Sequence, residues 1–90
     1  MANAKAIAAG IIDRVNRSKT PNFKAWRIGL THDVQQRYQE WGKPTHFLYW
    51  EADSLDDAQA IEAYFINEKG MEGGTGGDLN ARRSLYVYIF

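Results

Sequence analysis

One carboxylate, Glu62, falls in the middle of the apolar stripe of the longest predicted helix. At 100° per residue, apolar side chains occupy one arc of this helix and polar side chains occupy the opposite arc. The apolar arc consists of Leu55, Ala58, Ile61, Phe65 and Ile66. Rotating the helix to expose Glu62 would also expose these residues. Because burying an unpaired carboxylate costs several kcal/mol, we expect Glu62 to have a cation, a metal ion or a water-filled cleft as its partner.

Arg37 occupies a similar position on a shorter predicted helix. The inward stripe of that helix is Val34, Tyr38 and Trp41, and Arg37 lies at the edge of the stripe. One inward acid and one inward base on helices that flank the same sheet have two interpretations. They form a structural salt bridge, or they face a functional cleft.

Helices and strands are predicted to alternate along the chain. Helices are expected where apolar residues recur every three or four positions, and strands where apolar and polar residues alternate. The predicted helices cover residues 4–16, 34–41 and 55–69, and the predicted strands cover residues 25–31, 46–52 and 84–90. Asn3, Asp33 and Ser54 are the expected N-caps. The strand at 46–52 is apolar on both alternating sets, which predicts a central strand covered on both faces.

The predicted elements belong to one domain, residues 1–90. Residues 17–24 are a predicted linker, residues 25–69 the core, and residues 70–83 a Gly-rich loop that we expect to be mobile. Ninety residues suffice for one hydrophobic core. The chain has no cysteine, so neither disulfides nor thiolate metal sites can support that core.

The charge balance excludes a strong global attraction for polyanions, because eleven Lys and Arg match eleven Asp and Glu. The one obvious basic cluster is Arg14, Arg17, Lys19 and Lys24, on or near the linker. This cluster is either a solvated link or a phosphate contact. No apolar run approaches the ~20 residues that span a bilayer, and no signal peptide is recognisable, so a cytoplasmic location without membrane contact is expected.

Ile28 and Gly29 lie in the predicted strand at 25–31, and Arg37 follows that glycine by eight residues. This part of the chain resembles the GIY-YIG nuclease superfamily, in which a strand ends in Tyr-Ile-Gly and an Arg follows its glycine at the same distance. A later helix of the family carries Ala, an apolar residue, Glu and a Leu-Ile pair at fixed spacing. The matching residues here are Ala58, Ile61, Glu62, Phe65 and Ile66. The predicted fold class is therefore α+β and GIY-YIG-like, with a small three-stranded mainly antiparallel sheet flanked by three helices.

The chain also departs from the family's pattern. Arg27 stands where the family has the Tyr of Tyr-Ile-Gly, and Trp41 stands where it often has a His. The family's opening strand, Gly-Ile-Tyr, has no counterpart just upstream of Trp26. The last strand, with the sequence Tyr-Val-Tyr-Ile-Phe, resembles that missing strand. A circularly permuted arrangement would pair it with the strand at 25–31, and we expect this pairing.

The resemblance implies metal-dependent hydrolysis of a phosphodiester in DNA or RNA. Glu62 would hold one divalent metal ion, typically Mg²⁺, and Arg37 would neutralise the phosphate. The proton acceptor would be Tyr86, Tyr88 or His32. One alternative is a non-catalytic module that retains the scaffold and binds nucleic acid or a protein partner. Another is an accessory protein in which Arg37 and Glu62 are only a structural ion pair.

Overall fold

Three α-helices, a 3₁₀ turn and four strands alternate in the part of the chain that the computed structural model describes, residues 3–73 and 86–90. The helices are α1 (Ala4–Asn16), α2 (Val34–Glu40) and α3 (Leu55–Asn67). The strands are β1 (Arg27–Thr31), β2 (Leu48–Glu51), β3 (Glu72–Gly73) and β4 (Tyr86–Ile89), and the 3₁₀ turn is Phe23–Ala25. The predicted α+β class is therefore confirmed.

The helix ends follow local sequence signals. The side chains of Asn3, Asp33 and Ser54 each accept a hydrogen bond from a backbone N–H three residues further on, at 2.8, 3.1 and 3.1 Å. These bonds satisfy N–H groups that have no partner within the helix. After α3, Gly70 adopts a φ of +80°, and the Met71 N–H donates back into the last turn at 3.0 Å. Glycine adopts this left-handed conformation without strain and so ends the helix.

The strands form one mixed sheet in the order β2-β4-β1-β3. Strand β4 lies antiparallel between β1 and β2, and β3 runs parallel to β1. The expected pairing of the last strand with the strand at 25–31 is confirmed, since Thr31 lies opposite Tyr86 and Ile28 opposite Ile89. The predicted three-stranded, mainly antiparallel sheet is wrong in omitting the parallel strand Glu72–Gly73. This strand has only two residues in a Gly-rich segment, where no alternation can indicate it.

Strand β2 lies at an edge of this sheet, so the prediction of a central strand covered on both faces is wrong. Leu48 and Tyr49 are exposed. The interior positions belong to β4 and β1, and residues 87–89 of β4 are all buried. The aromatic content of β2 misleads because large rings suit partly exposed strands as well as covered ones.

One face of the sheet is covered by α1 and α3, and we call it the helical face. It carries the aliphatic strand residues Ile28, Leu30, Val87 and Ile89. The helices add Ile7, Ile11, Val15, Ala58, Ile61 and Phe65 to the same core. Because side chains alternate between the faces of a strand, Tyr86, Tyr88 and Phe90 lie on the opposite side.

That opposite side, the aromatic face, is packed with rings. Phe47 stacks on Tyr88 with ring centroids 5.4 Å apart, and Tyr38 of α2 meets Phe47 edge-on at 5.2 Å. Trp41, directly after α2, packs against Phe90 at 5.2 Å. Helix α2 therefore lies across the sheet from α1 and α3.

Two further expectations concern the loop and the membrane. Most of the predicted Gly-rich loop, from residue 74 onward, lies outside the described residues. Among the helices of residues 3–73 and 86–90, none has the length and apolar character needed to cross a bilayer.

Candidate functional site

Arg37 forms an ion pair within its own helix. Its Nη1 atom lies 3.1 Å from Oε2 of Glu40, three residues further on. Pairs at this spacing contribute only about 0.2–0.5 kcal/mol, so the contact mainly orients the guanidinium. Arg37 therefore has a carboxylate partner that does not come from α3.

Glu62 lies on α3, at the helical face, and is half-buried. It forms no ion pair or hydrogen bond with another residue of the described ranges. Burial raises the pKa of the Glu62 carboxyl above its ordinary value of 4.5. The salt bridge between Glu62 and Arg37, one of the two interpretations of these residues, is not formed, because α2 and α3 pack on opposite faces of the sheet. Helical periodicity identified the inward side of each helix but not the face of the sheet that the helix covers.

Tyr88 is a packing residue of the aromatic face. Its side chain is buried, and its hydroxyl accepts a hydrogen bond from Trp41 Nε1 at 3.2 Å. The ring lies so close to the backbone of Gly29 that a Cβ atom at position 29 would overlap the ring and its hydroxyl. This contact gives a structural reason for the glycine that the GIY-YIG resemblance had matched.

Tyr86 and His32 occupy more open positions. Tyr86 is half-buried on the aromatic face, where its ring meets Tyr49 edge-on at 6.0 Å. His32 is exposed and directly follows β1. The structure thus brings Tyr86 and Tyr88 to the face that α2 covers, while Glu62 lies on a helix of the other face.

The predicted magnesium site, with Glu62 as its one proposed protein ligand, stays a prediction. Mg²⁺ is commonly held by one or two carboxylates together with substrate phosphates. In residues 3–73 and 86–90, no three His, Asp or Glu side chains form a group that could hold a metal ion. Glu62 is a single carboxylate, and Arg37, Tyr86 and Tyr88 lie across the sheet from its helix. These residues therefore do not meet around one phosphate.

A different set of residues forms a pocket at one end of the sheet, beside the start of β1 and the end of β4. Its volume is about 420 Å³. We call it the basic pocket. Its charged and aromatic lining residues are Arg14, Arg17, Lys19, Trp26, His46 and Phe90.

Trp26 and His46 hold Arg14 in place in this pocket. Trp26 is buried, and its Nε1 donates to the Thr20 carbonyl at 3.2 Å, which fastens the linker to the sheet. The Arg14 guanidinium lies 5.4 Å from the Trp26 ring centroid, within the range of a cation–π interaction. Its Nη2 atom lies 3.1 Å from Nδ1 of His46. Because guanidinium nitrogens only donate, His46 Nδ1 is the acceptor.

The other two cations are more loosely held. Arg17 Nε lies 2.9 Å from Asp13 Oδ1, with the two side chains 78% and 58% exposed. Exposed pairs of this kind contribute little and exchange readily for a stronger anion. Lys19 is exposed and forms no ion pair with a described residue. No Asp or Glu among the described residues lines the pocket. The side chains that line the pocket therefore carry a net positive charge, in a chain of zero net charge, and Asp13 pairs with Arg17 beside them.

The sequence predicted only part of this pocket. Arg14, Arg17 and Lys19 belong to the basic cluster that was either a solvated link or a phosphate contact. Lys24, the fourth member, lies away from the pocket, against Gly70. The aromatic lining was missed because it comes from three separate segments. The available signal was Trp26, a large ring at the junction of a basic linker and a strand.

Comparisons with known proteins add no assignment: no protein-family model, curated protein or solved structure matches this chain. The geometry of the described residues therefore carries the functional argument.

Proposed function

We propose that this chain is a non-catalytic module that binds single-stranded nucleic acid in the basic pocket. The observation that carries the proposal is a cluster of three cations beside aromatic rings, with no Asp or Glu among the described lining residues. Cations neutralise backbone phosphates, and aromatic rings stack on unpaired bases. Proteins that bind single strands combine these two contacts.

Arg14 is the best-placed phosphate ligand. Trp26 and His46 already fix its guanidinium, so little side-chain entropy is lost when an anion binds. Arg17 and Lys19 add charges at the rim of the pocket. Because the net charge of the chain is zero, affinity should depend on these few groups rather than on a field of the whole molecule.

The shape of the pocket favours a single strand over a duplex. A concavity of about 420 Å³ is within the range of small-molecule sites and accommodates a unit of nucleotide size. His46 is exposed, so its ring is accessible for stacking, whereas the half-buried Phe90 ring already packs against Trp41. Bases within a duplex are stacked on each other and do not offer their faces to side chains.

Binding can be measured by fluorescence anisotropy with a labelled oligonucleotide at low and physiological salt. Lys19→Gln removes one charge from the pocket, and Lys5→Gln removes one from an exposed position near the other end of α1. We expect Lys19→Gln to weaken binding roughly three- to tenfold at low salt and to lower the salt slope by about 0.7, the value for one phosphate contact. Lys5→Gln should leave both quantities unchanged.

Two outcomes would refute this proposal. The first is an absence of binding to single-stranded DNA or RNA at low salt. The second is equal weakening by Lys19→Gln and Lys5→Gln, which would indicate diffuse charge attraction rather than a site. A duplex of the same sequence should bind more weakly than the single strand.

A second candidate function is a metal-dependent GIY-YIG-like nuclease, and one observation favours it. Strand β4 lies beside β1, as the circularly permuted arrangement requires, so Tyr86 and Tyr88 adjoin the strand that carries Gly29. In this candidate Glu62 would hold Mg²⁺ and Arg37 would neutralise the phosphate. The positions of α2 and α3 on opposite faces weigh against it.

This candidate is tested by incubating the protein with supercoiled and branched DNA in Mg²⁺ or Mn²⁺. Metal-dependent cleavage that Glu62→Gln abolishes would support a nuclease. Titration of the metal should then also shift NMR signals near Glu62. An absence of both responses would exclude the candidate without affecting the binding proposal.

A further inference from the structure

Strand β2 forms one edge of the sheet and carries apolar side chains that are exposed to solvent. Among the described residues it pairs with β4 on one side and with no strand on the other. Tyr49 is 53% exposed and Leu48 is 37% exposed. An open edge with exposed apolar side chains is a template for pairing with another strand.

The neighbouring ladder shows in which direction each residue of β4 forms its backbone hydrogen bonds. Arg27 and Phe90 exchange both bonds, with N···O distances of 2.8 and 3.1 Å. In an antiparallel ladder, hydrogen-bonded pairs alternate with non-hydrogen-bonded pairs. Phe90, Tyr88 and Tyr86 therefore form their backbone hydrogen bonds with β1. Val87 and Ile89 alternate with these residues and form their backbone hydrogen bonds with β2.

This alternation identifies the unused backbone groups of β2. Trp50 lies opposite Val87 and Leu48 opposite Ile89, so these two residues of β2 use their N–H and C=O groups within the sheet. Tyr49 and Glu51 alternate with them. Their backbone groups therefore point outward from the edge.

We propose that a second copy of this chain pairs with β2 in antiparallel orientation, across a two-fold axis at Tyr49. In this register Tyr49 lies opposite Tyr49 of the second copy as a hydrogen-bonded pair, which uses the outward groups of both strands. Leu48 lies opposite Trp50 of the second copy, and Phe47 lies opposite Glu51. The two sheets then form one continuous sheet.

The chemistry of β2 favours a second copy as the partner. In the proposed register the strand is self-complementary, because Leu48 and Trp50 make an apolar pair and no two like charges are opposed. The segment Leu48–Glu51 also contains neither Lys nor Pro, two residue types that commonly keep sheet edges apart. Pairing would cover Tyr49, the most exposed large hydrophobic residue of the described chain.

Sedimentation velocity over a concentration series tests this inference. The wild-type chain should change from monomer to dimer as concentration rises. Tyr49→Lys places two like charges opposite each other and should weaken the dimer about tenfold or more. Tyr64→Lys changes another exposed aromatic residue, on α3, and should leave the dimer unchanged. Circular dichroism should show that both variants are folded, because both side chains are exposed.

The absence of cysteine allows a test of the register. Hydrogen-bonded pairs place Cα atoms about 5.5 Å apart, so the two thiols of a Tyr49→Cys pair would lie within reach of a short bismaleimide linker. Such a linker should therefore cross-link Tyr49→Cys into a dimer but not Tyr64→Cys. A wild-type chain that stays monomeric at the highest concentration would overturn the proposal. A dimer that Tyr49→Lys does not weaken, or that Tyr49→Cys does not cross-link, would also overturn it.

Discussion

The two faces of the sheet bury their residues in different ways. The helical face is closed by α1 and α3, and its aliphatic side chains, such as Ile28 and Ile89, are almost fully excluded from water. The aromatic face has one shorter helix, and its rings retain polar groups such as the Trp41 Nε1–Tyr88 Oη hydrogen bond. The stability of the helical face therefore depends on filling its buried volume. The stability of the aromatic face depends on how well the rings fit against the sheet.

The basic pocket lies where the two faces end together. Trp26 belongs to the core of the helical face, and Phe90 belongs to the ring cluster of the aromatic face. Arg14 reaches the pocket from the last turn of α1. A binding site at this junction is lined by buried Trp26 from the helical face and by half-buried Phe90 from the aromatic face.

The largest stability effect should come from removing volume on the helical face. Phe65 is fully buried there. Phe65→Ala should lower the free energy of unfolding by about 3–5 kcal/mol, because it leaves a cavity that the two helices cannot fill. Chemical denaturation measures this loss. Tyr64→Ala, at the exposed neighbouring position, should lower the free energy of unfolding far less. Similar losses for both variants would contradict the claim that the helical face depends on its buried volume.

A smaller effect should come from adding one methyl group on the aromatic face. Gly29→Ala forces a Cβ atom against the Tyr88 ring, so we expect a loss of about 1–3 kcal/mol from overpacking. In a Tyr88→Leu background the same substitution should cost much less, because the opposing ring is absent. An unchanged cost in that background would show that Gly29 is required for another reason.

Substitution of Glu62 should give the smallest change in stability, and the size of this change should depend on pH. Because burial raises the pKa of this carboxyl in the folded state, the folded chain binds the proton more tightly than the unfolded chain. Stability then falls as pH rises from the ordinary value of 4.5 through the folded-state pKa. Glu62→Gln removes this dependence, so at pH 7 the variant should be at least as stable as the wild type. The difference should disappear below pH 4.5.

Urea denaturation across this pH range gives the comparison. Glu68→Gln, at an exposed position after the same helix, serves as the control and should change stability by no more than about 0.5 kcal/mol. A clear loss of stability in Glu62→Gln at pH 7 would instead indicate a charged partner for the carboxylate.

Features that depend on neighbouring residues were predictable from the sequence. The caps at Asn3, Asp33 and Ser54 each involve one turn of chain, and all three form as expected. The buried residues of α1, Ile7, Ile11 and Val15, recur at the helical period. The pairing of β4 with β1 followed from the family resemblance and is confirmed, whereas the nuclease function that the resemblance implies stays a proposal.

Features that depend on the packing of distant segments were not predictable. The edge position of β2 and the strand β3 depend on strand order, which hydrophobic periodicity does not encode. The separation of Arg37 from Glu62 depends on which face each helix covers. The basic pocket needs Trp26, His46 and Phe90, whose segments meet only after the sheet has formed.

The central claim is that the basic pocket holds single-stranded nucleic acid, and NMR chemical-shift mapping tests it most directly. The indole N–H signal of Trp26 reports on the pocket, and the backbone signal of Lys5 reports on the other end of α1. On titration with a single-stranded oligonucleotide, we predict that the Trp26 indole and the backbone signals of Arg14 and His46 shift while the Lys5 backbone signal does not. Shifts centred on another surface, or no shifts at saturating oligonucleotide, would contradict the account.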